Sequence, residues 1–174
     1  MSILSRERNA GYGVFGGCLK KYESRGFNMI CGNYPAKIDE KSRLRLPAKF
    51  RRDLPETADN SYYVTSVDGK CARVYPIAVW ERIARKLQEA PQSEQAISKF
   101  QRFTSFYGAQ SEMDPQGRIL IPTVLREKAQ LFGDVSVIGK IDYLEVWNMQ
   151  IIYKDLEDNP ITSENWEKLA EWGI

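Results

Sequence analysis

Histidine is absent from this 174-residue chain, and cysteine is scarce. Without histidine, the chain cannot form a Ser-His-Asp or Cys-His catalytic centre or a zinc site with histidine ligands. Its three cysteines, Cys18, Cys31 and Cys71, are odd in number, far apart and free of any CxxC motif. This pattern predicts reduced thiols, with no structural metal and no disulfide framework. We therefore expect neither an enzyme nor a protein with a cofactor.

Long apolar runs are also missing. No run approaches the ~18 residues needed to cross a membrane. The glycine-rich stretch near the N-terminus lacks the leucine-rich segment and the A-x-A cleavage site of a signal peptide. With 43% apolar and 28% charged residues, the composition is that of an ordinary soluble globular protein. The sequence thus predicts a cytoplasmic protein without a membrane partner.

One short motif near the N-terminus is not supported by its surroundings. Residues 11–16 spell Gly-x-Gly-x-x-Gly, which binds dinucleotides when it lies between a buried strand and a helix. Here residues 5–9 are polar and charged, and no helical pattern follows the motif. A flexible tail is the favoured interpretation. Residues 1–28 as a whole lack apolar periodicity and are expected to form a flexible N-terminal extension.

A duplicated segment dominates the rest of the chain. Residues 39–51 recur 75 positions later as residues 114–126. Two copies are too few for a solenoid, so they indicate one compact domain built from two equivalent halves. The matched pairs are Asp39 and Asp114, Arg43 and Arg118, Leu44 and Ile119, Leu46 and Ile121, Pro47 and Pro122, Phe50 and Leu125, and Arg51 and Arg126.

Each copy predicts a turn, a short strand and a short helix. The second copy begins Asp-Pro-Gln-Gly, which is typical of a type I turn whose aspartate accepts backbone N–H groups. Asp39 and Asp114 are therefore predicted to structure their turns and to orient the adjacent arginines. Acid–base catalysis by these aspartates is disfavoured, because a neighbouring arginine lowers the pKa of a carboxyl group. The strands are expected at 43–46 and 118–121, and the proline after each fits the first turn of a helix.

A hairpin and a helix are predicted after each copy. The first hairpin comprises residues 62–66 and 71–75 around Asp68-Gly69, and the second comprises 135–139 and 143–147. The helix after Pro76 is indicated by apolar residues at helical spacing, and a further helix is expected over about 92–107. Four aromatic residues are predicted to pack in the core and not to stack on bases: Trp80, Trp147, Phe100 and Phe103. Arg102 could reach either a phosphate or a subunit interface.

Charge is distributed unevenly along the chain. The net charge is only +2, but residues 37–52 contain seven basic and two acidic residues, whereas residues 112–127 contain two basic and three acidic ones. The tail from 153 to 174 contains two basic and six acidic residues. A basic run is often only a solvated helix face. A local basic stripe on a turn and strand, however, is also the electrostatic pattern of phosphate binding, which we favour.

The duplicated Asp-x-x-x-Arg turn, the apolar strand ending in proline and the short helix ending near arginine resemble the MraZ family of bacterial transcriptional regulators. The likeness covers about residues 29–153 and includes the segments 117–122 and 145–147. It implies an α+β, AbrB-like swapped-hairpin barrel with flanking helices. It also implies a homo-oligomer that assembles into rings and binds direct repeats upstream of the division and cell-wall gene cluster. Ser42 departs from the glycine that the family usually has before the arginine.

The predicted domain organisation has three parts. Residues 1–28 are the extension, residues 29–153 form the MraZ-like domain, and residues 154–174 form an acidic C-terminal helix with Thr162 or Ser163 as its N-cap. Within the domain, the two AbrB-like repeats are expected at about 34–81 and 110–153. The terminal helix is expected to dock either on the body of the domain or on a neighbouring subunit.

We interpret the chain as a sequence-specific regulator that binds double-stranded promoter DNA and is associated with the nucleoid. Arg43 is expected to read base edges, because a guanidinium group can donate two parallel hydrogen bonds to guanine. Arg118 is expected either to do the same or to serve assembly. The alternative is an oligomeric interaction or scaffold protein of the same fold with weak or incidental DNA binding. The predicted phosphate contacts are Lys37, Lys41, Arg45 and Lys49.

Overall fold

The computed structural model describes residues 29–54, 60–91 and 93–174. The predicted N-terminal extension and its glycine motif lie outside the described residues. The predicted α+β class is confirmed by an eight-stranded antiparallel sheet and six helices within the described part of the chain. The strands are β1 (Ile30–Ile38), β2 (Arg43–Arg45), β3 (Ser61–Thr65), β4 (Ala72–Pro76), β5 (Ala109–Glu112), β6 (Arg118–Leu120), β7 (Gly133–Ile141) and β8 (Tyr143–Asn148). The helices are α1 (Ala48–Asp53), α2 (Ile77–Glu89), α3 (Gln95–Phe106), α4 (Thr123–Lys128), α5 (Met149–Asp158) and α6 (Ser163–Glu171).

The two halves exchange their first strands. Strand β1 pairs along its whole length with β7 of the second half, and β5 of the second half pairs with β3 of the first. The strand order is β5-β3-β4-β8-β7-β1-β2-β6. The first and last strands in this order, β5 and β6, also meet. The backbone N–H of Leu120 in β6 donates to the Ser111 hydroxyl in β5 at 3.0 Å. The sheet is therefore nearly closed, and neither half contains all the partners of its own strands.

An approximate two-fold axis relates the halves. Strands β2 and β6 pair so that Leu44 lies opposite Ile119, its own counterpart in the repeat. Strands β4 and β8 pair so that Arg73 lies opposite Glu145, which is the equivalent residue 72 positions later. The axis passes through both pairs, so two surfaces of the molecule lie on it. One surface carries the two Asp-x-x-x-Arg turns, and the other carries the Arg73–Glu145 pair.

The repeated apolar positions form the core. Leu44, Phe50, Ile119 and Leu125 occupy matched positions of the two copies, and all four are fully buried. Helices α2 and α5 begin 72 positions apart, at Ile77 and Met149, and pack on equivalent strands of the two halves. The core therefore fixes β2 and β6 side by side and places both turns at the same end of the sheet.

Phe103 is an exception to the predicted aromatic core. Trp147 is buried and Trp80 stacks on Tyr63 with ring centroids 4.2 Å apart, but Phe103 is 42% exposed. The reason lies in the orientation of α3. The carbonyl of Thr104 accepts hydrogen bonds from the hydroxyls of Thr65 and Tyr63, which turns the helix so that Phe103 lies outside the contact.

Two further features differ from expectation or extend it. Cys31 is disulfide-bonded, so the expectation of a reduced thiol is wrong at this position, whereas Cys71 is a free and buried thiol. Helix α6 begins after Thr162, whose side chain forms a capping box with Asn165, and the helix contains no buried residue. In the described part of the chain, no helix has the length and apolar character needed to span a membrane.

Candidate nucleic-acid interface

The first turn holds Arg43 in a fixed orientation. The backbone N–H of Ser42 donates to the carbonyl of Asp39, which closes a type I turn, and Oδ1 of Asp39 accepts the N–H groups of Lys41 and Arg43 at 3.0 and 2.9 Å. Oδ2 of the same aspartate accepts Nε of Arg43 at 2.8 Å and lies 2.7 Å from Nη2. The carboxylate therefore structures the turn and orients the arginine, as the sequence predicts.

The second turn repeats this geometry. Oδ1 of Asp114 accepts the N–H groups of Gln116 and Arg118 at 2.9 and 3.0 Å, and Oδ2 accepts Nε of Arg118 at 2.7 Å. Nη2 of Arg118 also lies 2.7 Å from Oδ2. Because the same five-residue Asp-x-x-x-Arg pattern forms the same hydrogen bonds in both copies, the geometry is a property of the local sequence.

The arginines keep both aspartates ionised. The side-chain hydrogen bond from Arg43 is the main reason that the pKa of Asp39 lies below its ordinary value of 3.8. At Asp114, partial loss of solvent acts to raise the pKa, but the hydrogen bonds from Arg118 and Gln116 outweigh it and the pKa is again lowered. An aspartate whose pKa is lowered in this way suits the positioning of a cation and does not suit general acid catalysis.

A left-handed residue precedes each arginine. Ser42 has φ +62° and Gly117 has φ +75°, which is the conformation required after a type I turn in a hairpin of this length. Glycine adopts it without strain, whereas serine does so at a cost of roughly 1–2 kcal/mol. The first copy offsets this cost in part, because the Ser42 hydroxyl accepts a hydrogen bond from Nη1 of Arg126 at 3.1 Å. The departure at Ser42 therefore leaves the turn intact.

Two arginines at the ends of α1 and α4, Arg51 and Arg126, each reach the turn of the other half. Arg126 at the end of α4 reaches the first turn at Ser42, and its counterpart Arg51 at the end of α1 lies over the second turn. A Cβ atom at Gly117 would lie only 2.6 Å from Cδ and Nη1 of Arg51. Glycine at this turn adopts its left-handed conformation without strain, and a larger residue would require the Arg51 side chain to shift.

A basic cleft lies between the two turns. Its volume is about 580 Å³, and it is lined by residues from both halves. Along the β2–β6 pair, Arg45 lies opposite Arg118, and Arg43 lies opposite Leu120, so three arginines share one short ribbon. The lining residues are Lys37, Ile38, Asp39, Arg43, Arg45, Arg51, Pro115, Gln116 and Arg118.

The structure brings together four of the six predicted DNA-binding residues, namely Lys37, Arg43, Arg45 and Arg118. Lys41 is exposed on the first turn but is not among the lining residues. Lys49 lies apart on α1, where its Nζ is 3.0 Å from the carboxylate of Asp53. Lys37 forms an exposed pair with Asp134 at 3.3 Å.

Arg51 is a member of the cleft that the sequence interpretation did not select. It is exposed and forms no ion pair with the described residues. The repeat contained a signal for it, since Arg51 and Arg126 occupy equal offsets in the two copies. The reach of Arg51 across to the other half could not be read from either copy alone.

The cleft can bind a polyanion and also has donors suited to a base edge. Arg45 and Arg51 have no ion pair among the described residues and can neutralise phosphates. In Arg43 and Arg118, the aspartate holds the edge formed by Nε and Nη2. The other edge, formed by Nη1 and Nη2, is left for a bidentate contact such as that with O6 and N7 of guanine. A preorganised arginine of this kind loses less entropy on binding.

A family model described as "MraZ protein, putative antitoxin-like" matches the chain twice, over residues 29–103 and 106–171. The two matches divide the chain as the duplicated turns do. The matches also make α3 and α6 equivalent elements. The first match ends within α3 and the second ends with α6, and each of these is the second helix after its hairpin.

Several curated relatives match most of the chain. A transcriptional regulator MraZ of Acidobacterium capsulatum is 44% identical over 146 residues, which is 84% of this chain and 100% of the relative. The transcriptional regulator MraZ of Koribacter versatilis is 41% identical over 84% of this chain and 100% of its own length. One from a Thermoanaerobacter species is 35% identical over 82% of this chain and 95% of the relative.

Proposed function

Because the chain belongs to the MraZ family of transcriptional regulators, we propose that it regulates transcription by binding double-stranded DNA through the basic cleft. The observation that supports this proposal best is the convergence of Arg43, Arg45, Arg51 and Arg118 on one cleft. Two of these arginines are held by aspartates, and the other two have no ion-pair partner among the residues that the structure describes. This arrangement combines fixed donors for base edges with free cations for phosphates.

The individual roles follow from these contacts. Arg43 reads a base edge, and Arg118 does so from the second half or contributes to assembly. Arg45, Arg51, Lys37 and Lys41 contact phosphates. Lys49 is a weaker candidate for a phosphate contact, because it lies apart from the cleft on α1 and its pair with Asp53 must first open. The target is a set of direct repeats in a promoter, with that of the division and cell-wall gene cluster as the first candidate. The protein then acts in the cytoplasm, at the nucleoid.

One cleft makes few base contacts, so a single protomer binds weakly. Several protomers held together convert later contacts into intramolecular ones, which raises avidity by ~10²–10⁴. A homo-oligomer, in the form of a ring if its contacts close, therefore belongs to the proposed mechanism.

The test is fluorescence anisotropy on a duplex with promoter repeats and on a scrambled duplex, each at two salt concentrations. Arg45→Ala and Arg51→Ala are expected to weaken binding to both duplexes and to reduce the salt slope by about 1 each. Arg43→Ala is expected to lose about 1–3 kcal/mol per base contact on the promoter duplex and to reduce sequence preference.

The matched control is Arg52→Ala, because Arg52 is an exposed neighbour of Arg51 that does not line the cleft. It is expected to bind both duplexes like the parent protein. If Arg45→Ala and Arg51→Ala also bound like the parent, the cleft would not be the DNA surface.

The second candidate function is that of an oligomeric interaction protein of the same fold. It is favoured by the exposed aromatic residues of α3 and of the C-terminal region, among them Phe106, Trp166 and Trp172. Under this alternative, an excess of nonspecific DNA would abolish binding to the promoter duplex while the oligomer remained intact.

A further inference from the structure

Helix α3 presents an aromatic and basic stripe to solvent. Lys99, Arg102, Phe103 and Phe106 follow the spacing i, i+3, i+4, i+7, so they lie on one face of the helix. All four are exposed, and Phe106 is 67% exposed. Arg102, Phe103, Phe106 and Tyr107 line a shallow groove of about 250 Å³. An aromatic groove bordered by cations is suited to a partner that is both apolar and acidic.

Helix α6 presents the complementary face. Trp166, Leu169 and Ala170 lie on one side at the spacing i, i+3, i+4, and Trp166 is 55% exposed. Glu167 and Glu171 are one turn apart beside this face, and neither forms an ion pair with the described residues. The other acidic residue of the helix, Glu164, is paired with Lys168 at 2.7 Å. Within the described part of the chain, the apolar face of α6 therefore presents Trp166 and Ala170 to solvent, with Leu169 partly buried and two carboxylates without an ion pair beside it.

The two helices lie on different parts of the sheet. Helix α3 is anchored to β3 through Thr104, whereas α6 follows α5, which packs on β7 and β8. They nevertheless occupy equivalent places in the two family matches. Contact between unlike surfaces of identical subunits is heterologous, and a pair joined in this way has a free groove at one end and a free helix at the other. Such contacts add further copies until they close.

We infer that α6 of one protomer docks into the α3 groove of the next, with Trp166 between Phe103 and Phe106 and with Glu167 and Glu171 facing Lys99 and Arg102. This assignment rests on the oligomer in the proposed function and specifies which surfaces form it. It also gives Arg102 a role at a subunit interface and not at a phosphate.

The experiment is light scattering on the full chain and on two charge reversals, Arg102→Glu and Glu167→Arg. The parent protein is expected at several times 20.0 kDa. Each variant alone places like charges against each other at every contact, so its mass is expected to fall to that of a single chain. Trp166→Ala is expected to dissociate the oligomer as well. All three side chains are exposed or lie on a helix without buried residues, so circular dichroism should stay that of the parent.

Mixing the two reversal variants provides the decisive measurement. Every contact between one variant and the other again joins opposite charges, so an equimolar mixture is expected to recover the parent mass. The matched control is Lys154→Glu, which reverses an exposed cation on α5 and should leave the mass unchanged.

The possible failures are distinguishable. A parent protein at 20.0 kDa would overturn both the oligomer and this interface. A parent oligomer whose mass survives both reversals would overturn the interface alone, and so would variants that dissociate but fail to reassemble when mixed. Recovery on mixing would also exclude a phosphate contact as the reason for the effect of Arg102→Glu.

Discussion

At the scale of single residues, the aspartate of each turn has two tasks that use different oxygens. In both copies, Oδ1 accepts two backbone N–H groups and Oδ2 holds the arginine side chain. An asparagine could accept the backbone N–H groups through its Oδ1, but it lacks the negative charge that holds the arginine. The arginine therefore depends on the aspartate for its direction, and the aspartate depends on the arginine for its low pKa.

This dependence predicts a pH effect with a defined sign. Because the pKa of Asp39 is lowered in the folded chain, its contribution to stability is complete above pH 3.8 and is lost as pH falls through the lower folded value. NMR titration of the Asp39 carboxyl group should give a pKa below 3.8. In Arg43→Ala the pKa should move back towards 3.8, since the side-chain hydrogen bond from Arg43 is the largest cause of the shift. An unchanged pKa in that variant would contradict the proposed clamp.

At the scale of elements, the β2–β6 ribbon shows how the halves have diverged on one scaffold. The two strands pair symmetrically, but Arg45 in the first corresponds to Leu120 in the second. Leu120 is 52% exposed, on the face that carries the arginines. The second half therefore keeps the geometry of the first with less of its charge.

Restoring that charge should increase DNA binding. Leu120→Arg places a cation opposite Arg43 and is expected to tighten binding to promoter and scrambled duplexes alike, with a salt slope that is steeper by about 1. Anisotropy at two salt concentrations measures both quantities. Ile161→Arg is the control, because Ile161 is a similarly exposed apolar residue outside the cleft. Equal gains from the two variants would indicate a nonspecific charge effect and would argue against the cleft.

The elements also show what local sequence can predict. The turns, the strands after them, both hairpins and the cap at Thr162 follow from residue preferences and periodicity, and each lies within a few residues of its expected place. The local sequence signals for strands β1 and β5 are weak. Strand β1 contains Gly32 and Pro35, and β5 is the polar segment Ala109–Glu112. Their pairing partners lie in the other half, so no local pattern identifies them.

The candidate site was predictable to a similar degree. The repeat, the basic charge of its first copy and the family resemblance selected Arg43, Arg45 and Arg118 from the sequence, and the cleft contains all three. Arg51 enters the cleft only because α1 of one half meets the turn of the other. The pair of Lys49 with Asp53, by contrast, has the i, i+4 spacing of a helical ion pair and is readable from the sequence once the helix is assigned.

At the scale of the whole molecule, the exchanged strands make the halves depend on each other. Strand β1 has its long partner, β7, in the second half, and β5 has its partner in the first. Separate halves could satisfy these strands only by pairing with another copy. A homodimer of first halves would bring two copies of Arg73 together on the axis. In the intact chain, Arg73 instead meets Glu145 there at 3.5 Å.

We therefore predict that fragments 29–107 and 108–174 fold together but not apart. Circular dichroism should show little sheet in either fragment alone at micromolar concentration, because like charges meet on the axis of each homodimer. An equimolar mixture should recover the sheet of the chain from residue 29 onwards. Arg73→Glu in the first fragment should reduce recovery, since it then places two carboxylates against each other. A fragment that folds as a monomer would contradict the prediction.

The unequal charges of the two halves also give the molecule a direction. A DNA-binding protein with exact two-fold symmetry cannot distinguish one direction along a duplex from the other. Here one side of the axis offers Arg45 and Lys41, whereas the other offers Leu120 and Gln116 at the same places. Under the proposed mode of binding, each protomer therefore binds its site in one defined direction along the duplex. Neighbouring protomers joined head to tail then point the same way, which matches operators that repeat without inversion.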